Sequence, residues 1–99
     1  MGFRRAARVD ANQPQVVREL RALGYRVDIV SQVKKLYDLV ITGRIFGTDS
    51  VRTVRVELKV DGGTLTADEQ EYWNSEPYPE TLLLARSTED VLKWFENDN

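Results

Sequence analysis

Val16, Val17, Leu20 and Leu23 recur three and four residues apart, the spacing that gathers apolar side chains on one face of a helix, and Gly24 follows as a stop. The pattern predicts a helix over 11–23, capped near its start by Asp10 or Asn12, with Pro14 tolerated in its first turn. The period then changes from helical to alternating, and segments 25–30, 37–45 and 51–60 each read as a strand. Thr66-Ala67-Asp68-Glu69 has the form of a capping box and opens a second helix that runs to about Asn74. Beyond Pro77 and Pro79, segment 81–85 reads as a fourth strand. Ser87-Thr88-Glu89-Asp90 opens a last helix that carries Val91, Leu92, Trp94 and Phe95. The order is α-β-β-β-α-β-α, without repeat, low-complexity tract or linker. It predicts one α/β domain over 1–99, a four-stranded mixed sheet flanked by helices.

The alternation within the strands assigns faces. In the third strand Val54, Val56, Leu58 and Val60 point one way, and Thr53, Arg55, Glu57 and Lys59 the other. In the second, Asp38, Val40 and Thr42 share a face opposite Tyr37, Leu39 and Ile41. A hairpin through Phe46-Gly47-Thr48-Asp49-Ser50 joins the two strands, and paired residue numbers in a hairpin have a constant sum. A two-residue Gly47-Thr48 turn gives a sum of 95 and sets Asp38 opposite Glu57. A Thr48-Asp49 turn gives 97 and sets Asp38 opposite Lys59. In either register the three polar side chains share one face. Facing carboxylates repel across a sheet, so a divalent cation, or in part a lysine, has to compensate them. Glu-x-Lys on a strand is most often an exposed salt-bridging pair, and it is Asp38 on the same face that turns the pattern towards chemistry. Two carboxylates and an ammonium around a hard cation suit phosphodiester hydrolysis: the metal polarises the phosphoryl oxygen and acidifies a bound water, while Lys59 orients that water and stabilises developing charge.

Composition narrows the chemistry. The 99 residues include neither cysteine nor histidine, which excludes a disulfide framework, thiol catalysis, imidazole acid–base chemistry and most zinc sites. A bound metal would be held by oxygen, favouring Mg²⁺ or Mn²⁺. No apolar run approaches the ~20 residues of a membrane span, and no secretory signal is read at the N-terminus; a cytoplasmic setting is expected. The net charge of −2 divides unevenly, with 12 Lys/Arg against 6 Asp/Glu over 1–60 and 2 against 10 over 61–99. A basic half could meet phosphate while the acidic half faces away, or the two could form a mixed solvated surface.

Four segments, in order, resemble the VRR-NUC branch of the PD-(D/E)XK nucleases. Asp10-Ala11-Asn12-Gln13-Pro14-Gln15-Val16 is similar to the start of that family's first helix, and Tyr37-Asp38-Leu39-Val40 to its Pro-Asp-Leu motif. Val56-Glu57-Leu58-Lys59 resembles its (D/E)-x-K strand, and Leu65-Thr66-Ala67-Asp68-Glu69-Gln70 the opening of its second helix. The resemblance spans about residues 8–95. It implies a restriction-endonuclease-like core in which Asp38, Glu57 and the Leu58 carbonyl bind the metal, Lys59 is the catalytic lysine and Gln70 a supporting polar residue. It also implies a bacterial or phage-encoded endonuclease that acts, as a homodimer, on four-way (Holliday) junctions or other branched DNA. Three departures stand out. Gln15 occupies the place of the family's first-helix Glu, which bears on metal affinity, and Glu19, one helical turn further on, is a candidate substitute. Tyr37 replaces the motif's Pro, and Gln32-Val33-Lys34-Lys35-Leu36 replaces a Gly-rich approach to the Asp.

Lys34, Lys35, Arg8 and Arg55 are candidate phosphate contacts, the two lysines equally a solvated pair. Arg4, Arg5 and Arg8 form a basic arm over 1–8 that lies along DNA or simply solubilises the chain. Tyr72, Trp73, Trp94 and Phe95 fit core packing better than base stacking, and Asp61-Gly62-Gly63 reads as a turn. Two other functional readings are a catalytically degenerate DNA-binding protein of the same fold and a protein-interaction module unrelated to nucleic acid.

Overall fold

A computed structural model describes residues 12–33 and 36–96; the basic arm over 1–8, Lys34 and Lys35 lie outside the described residues. The elements are α1 (Gln13–Ala22), β1 (Arg26–Ile29), β2 (Leu39–Arg44), β3 (Val51–Leu58), α2 (Ala67–Ser75), a 3₁₀ turn at Pro79–Thr81, β4 (Leu82–Ala85) and α3 (Thr88–Glu96). The expected order holds, with the 3₁₀ turn added before β4. No helix among the described residues is long and apolar enough to cross a membrane.

Helix α1 stops where the sequence places Gly24. That residue sits at φ +97°, and the Gly24 and Tyr25 N–H groups donate to the Arg21 and Leu20 carbonyls, closing the last turn with a left-handed residue. Its start departs from expectation. Asn12 is the cap residue, but its side chain makes no capping bond. Instead Nδ2 donates to the Arg86 carbonyl at 2.9 Å and approaches the Lys59 carbonyl at 3.4 Å, tying the head of α1 to the ends of β3 and β4.

The sheet runs β1-β2-β3-β4, antiparallel between the first three strands and parallel between β3 and β4. Parallel neighbours need a crossover, which α2 supplies. The β2–β3 register pairs Leu39 with Val56 and Arg44 with Val51, the sum of 95. The loop that sets it is wider than the two-residue turn expected. Ile45 N–H donates to the Ser50 carbonyl at 2.9 Å, leaving 46–49 as the loop, and Thr48 N–H donates to the Ile45 carbonyl at 3.0 Å. Gly47 is the third residue of that inner turn at φ +76°, a conformation glycine adopts without penalty.

One face of the sheet is apolar. Leu39, Ile41, Val54, Val56 and Leu58 pack there against Val16, Val17 and Leu20 of α1 and Val91 and Phe95 of α3. Phe95 is fully buried, with Tyr25 and Trp94 rings 4.9 and 4.8 Å away. The other face carries Thr42, Thr53, Arg55 and Glu57, and α2 is anchored to it through Arg55. That guanidinium donates to Tyr72 Oη at 2.6 Å, Glu76 Oε1 at 2.7 Å and Thr81 Oγ1 at 2.5 Å, and lies about 6 Å from the Tyr37 and Tyr72 ring centres.

Gly43 of β2 shows how closely the apolar end is packed. A Cβ there would lie 2.3 Å from Tyr25 Cδ1 and 2.6 Å from Cε1. Gly43→Ala is therefore expected to displace the Tyr25 ring from Phe95 and to cost about 1–3 kcal/mol, measured as a lower urea midpoint at unchanged slope; an unaltered midpoint would refute this packing.

Candidate active site

The sheet brings Asp38, Glu57 and Lys59 together at the end where β2 begins and β3 finishes. Pairing between the two strands ends at Leu39 and Val56, and Asp38 lies one residue outside it. Its N–H donates to the Val56 carbonyl at 2.8 Å, its carbonyl accepts from Val30 N–H at 2.9 Å, and its Oδ2 accepts from Leu58 N–H at 2.8 Å. The carboxylate thus takes the place of a main-chain acceptor where the ladder stops.

Glu57 follows on β3, between the Asp38 end of β2 and Leu84 of β4, and is only 5% exposed. Two residues on, Lys59 shares its face. The Lys59 N–H extends the pairing to β4 by donating to the Ala85 carbonyl at 3.0 Å. Its Nζ lies 3.1 Å from Glu57 Oε2 and 3.2 Å from Glu69 Oε1, the latter arriving from the first turn of α2. Glu69 is 6% exposed, so the lysine is held between two buried carboxyl groups.

Their protonation follows from this crowding. Burial, a hydrogen bond with the Glu69 carboxyl and the charge of Asp38 push Glu57 up to about 8, against which Lys59 works only in part. Burial would raise Glu69 as well, but the Thr66 N–H, Glu57 and Lys59 outweigh it and hold Glu69 below the usual range. The same neighbourhood thus drives the two glutamates apart, Glu57 up and Glu69 down. Burial disfavours the Lys59 ammonium, yet Glu57 and Glu69 together keep its pKa above the ordinary value.

The side chains of Asp38 and Glu57 offer oxygen alone, with neither nitrogen nor sulfur, the kind of donor a hard cation takes. Among the described residues no group of three His, Cys, Asp or Glu side chains converges as a preformed metal cage. Mg²⁺ does not need one: it typically keeps several waters and takes one or two carboxylates. A carboxyl raised by burial and by neighbouring carboxyl groups is also the kind of group a divalent cation deprotonates on binding.

The remaining sequence-derived candidates are placed elsewhere. Gln15 is exposed, and its Nε2 donates to Glu19 Oε2 at 2.9 Å, while Glu19 Oε1 accepts from Thr88 Oγ1 at 2.5 Å. Both belong to the α1–α3 seam, where Glu19 joins Gln15 of its own helix to Thr88 of α3. The carboxamide that α1 turns inward is that of Gln13, 4% exposed, whose Oε1 has no hydrogen-bond partner among the described residues. The signal was in the spacing, since Gln13 falls in step with Val16, Val17 and Leu20. Gln70 is exposed and bonds Asn74 at 3.0 Å; its neighbour Glu69 is the residue that reaches Lys59. Arg55 is engaged in anchoring α2 rather than offered to a phosphate. Arg8, Lys34 and Lys35 lie outside the described residues.

No family model, curated protein or solved structure matches the chain.

Glu57 makes stability depend on pH in a defined direction. Unfolded, its carboxyl ionises near 4.5; folded, near 8. Between these values the folded state holds more protons, so the contribution is complete below about pH 4.5 and is lost as pH rises towards 8. Glu19, Glu69 and Glu76 are shifted below 4.5, outside this window, and the chain has no histidine to titrate within it. Tm is expected to fall between pH 5 and 8.5, and Glu57→Gln to flatten that profile. Parallel profiles for the two proteins would contradict the assignment.

Proposed function

We propose that this protein is a Mg²⁺- or Mn²⁺-dependent endodeoxyribonuclease with Asp38, Glu57 and Lys59 as its active site, of the VRR-NUC kind that its motifs resemble. The observation that carries the reading is the meeting of an ammonium and two carboxyl groups at one end of β2 and β3, with Glu57 pushed up to about 8 by burial, a hydrogen bond with the Glu69 carboxyl and the charge of Asp38. A structural salt bridge needs one carboxylate for one ammonium. Here Glu57 and Glu69 both meet Lys59 in a partly buried setting while the charge of Asp38 acts on Glu57, an arrangement that disfavours the sheet unless positive charge is added.

Bound there, a divalent cation would polarise the scissile phosphoryl group and acidify a water. Asp38, Glu57 and the Leu58 carbonyl would hold it. Lys59, kept protonated by its carboxyl neighbours, would donate to the attacked phosphate and stabilise its developing charge. The proposed substrate is DNA, in the first place a four-way junction or another branched form. A 99-residue subunit covers little duplex, and a homodimer would set two such sites on two strands. The expected setting is the cytoplasm of a bacterium, with the gene the host's own or a phage's.

A second reading is a DNA-binding protein of the same fold that has lost catalysis. It is favoured by α1, which turns the neutral Gln13 inward and keeps Gln15 at the surface, so that no carboxylate from this helix joins Asp38 and Glu57. Binding would then weaken steeply with salt and need no metal.

Labelled four-way junction, flap, single-stranded and linear duplex DNA, incubated with Mg²⁺, Mn²⁺ or EDTA, separate the two. Cutting is expected with either metal and not with EDTA, and Asp38→Asn, Glu57→Gln and Lys59→Ala are each expected to lower it by about a hundredfold or more with the fold intact. Binding without cutting of any substrate would favour the second reading, and full activity in one variant would remove that residue from the mechanism.

A further inference from the structure

Lysine carries its charge on a flexible four-carbon stem, so its position in a site has to be imposed. Glu57, two residues back on the same strand, restrains the Lys59 ammonium from one side only. Two features of the segment between β3 and α2 supply the rest. We propose that this connection is a positioning device for Lys59, with Gly63 seating the stem and Glu69 holding the ammonium. The proposal deepens the nuclease reading and rests on it for what Lys59 does, while the fixing of Lys59 is a property of the fold.

The stem is seated by a tight turn. Gly62 lies at φ +81°, and Gly63 N–H donates to the Val60 carbonyl at 2.9 Å, folding the chain back against the strand it has just left. Gly63 itself is not at positive φ, so space rather than backbone conformation calls for glycine there. A Cβ at 63 would lie 3.2 Å from Lys59 Cβ, 3.4 Å from Lys59 Cδ and 3.1 Å from the Val60 carbonyl oxygen.

The ammonium is held through a helix cap. Glu69 N–H donates to Thr66 Oγ1 at 3.2 Å, and Thr66 N–H donates back to Glu69 Oε1 at 2.8 Å, a reciprocal capping box. The same Oε1 receives Lys59 Nζ. A cap alone leaves its glutamate at the surface, and burying the carboxylate of Glu69 is costly without a partner. One oxygen therefore fixes two things at once, the first turn of α2 and the direction of Lys59.

The variants Glu69→Ala, Glu69→Gln, Thr66→Ala and Gly63→Ala test this. The first readout is kcat and KM on labelled four-way junction DNA with Mn²⁺. Glu69→Ala and Gly63→Ala are expected to lower kcat about tenfold to a hundredfold with KM within about twofold, the scale of a misplaced reacting group. Glu69→Gln keeps an acceptor oxygen for both donors and should stay within about threefold of the parent. Thr66→Ala weakens the cap without touching Lys59, so it should lower Tm as Glu69→Ala does while retaining kcat. The second readout needs no activity: the lysine ammonium signals in proton–nitrogen spectra, where the other lysines are Lys34, Lys35 and Lys93. An exchange-protected Lys59 signal is expected in the parent, Thr66→Ala and Glu69→Gln, and its loss in Glu69→Ala and Gly63→Ala. Retention of that signal in the last two, or a kcat loss in Thr66→Ala equal to that in Glu69→Ala, would overturn the proposal. If the parent cuts no DNA but the signals follow this pattern, the nuclease reading fails and the positioning of Lys59 stands.

Discussion

A carboxyl group 5% exposed beside a second carboxyl must be compensated, and the surroundings of Glu57 are organised by that requirement. The strand that carries it cannot withdraw, because β3 is paired on both sides, to β2 through Val56 and to β4 through Leu84. An unpaired charge at that depth would cost several kcal/mol. Compensation comes from what can be brought to it: Lys59 two residues along the same face, a hydrogen bond with the Glu69 carboxyl, and main-chain N–H groups that donate to the two neighbouring acids. Asp38 is held by Leu58 N–H and Glu69 by Thr66 N–H, so each acid near Glu57 is also a structural acceptor. The cluster and the ends of the elements that form it are one construction.

The uneven division of charge along the chain takes on a different meaning in three dimensions. Basic residues of segment 1–60 pair with acids of segment 61–99 across the gap between β3 and α2, as Arg55 with Glu76 and Lys59 with Glu69. The acidic segment does not simply face away from a basic surface; part of it clamps the basic strand. Arg55 illustrates this. With Tyr72, Glu76 and Thr81 all bonded to it, the guanidinium holds α2 over the polar face and so indirectly holds Glu69 over Lys59. Other cationic side chains among the described residues stand exposed, for example Arg18, Arg44 and Arg52.

Much of this arrangement is legible in the sequence because it depends on period and parity. Alternation in β2 and β3 decides that Asp38, Glu57 and Lys59 share a face, and each register considered preserves it. Gly24 and the Thr66–Glu69 box mark helix ends through local hydrogen bonds that need no tertiary information. Legibility fails where a side chain has two calls on it. Glu69 reads as a cap and is one, but nothing local says that the capping oxygen also meets a lysine ten residues earlier. Asn12 reads as a cap and instead spans to Arg86, because burial against β3 and β4 outweighs the local bond. Gln13 and Gln15 are distinguished only by which face of α1 meets the sheet, and the first was hidden by its polar character among apolar neighbours.

The hairpin's register is secured at both ends, which ties the candidate chemistry to the scaffold. At one end the Ile45–Ser50 closure and Gly47 fix the turn; at the other Asp38 Oδ2 holds Leu58 N–H where main-chain pairing has stopped. A slip of one residue would carry Glu57 and Lys59 to the apolar face and Val56 and Leu58 to the polar one. Under the proposed function Asp38 would have two roles with different chemical requirements. Holding Leu58 needs an acceptor oxygen, which an amide supplies; holding a cation opposite Glu57 needs the charge, which an amide lacks. Asn at position 38 divides the roles, whereas Ala would remove both and leave a buried N–H unsatisfied at a cost of about 1–3 kcal/mol. The same reasoning applies to Glu57, where Gln keeps the volume and an oxygen for Lys59 but ends the repulsion with Asp38. A folded protein that loses only its metal-dependent behaviour with these amides would mean that charge, rather than shape, is what this end of the sheet is built to present.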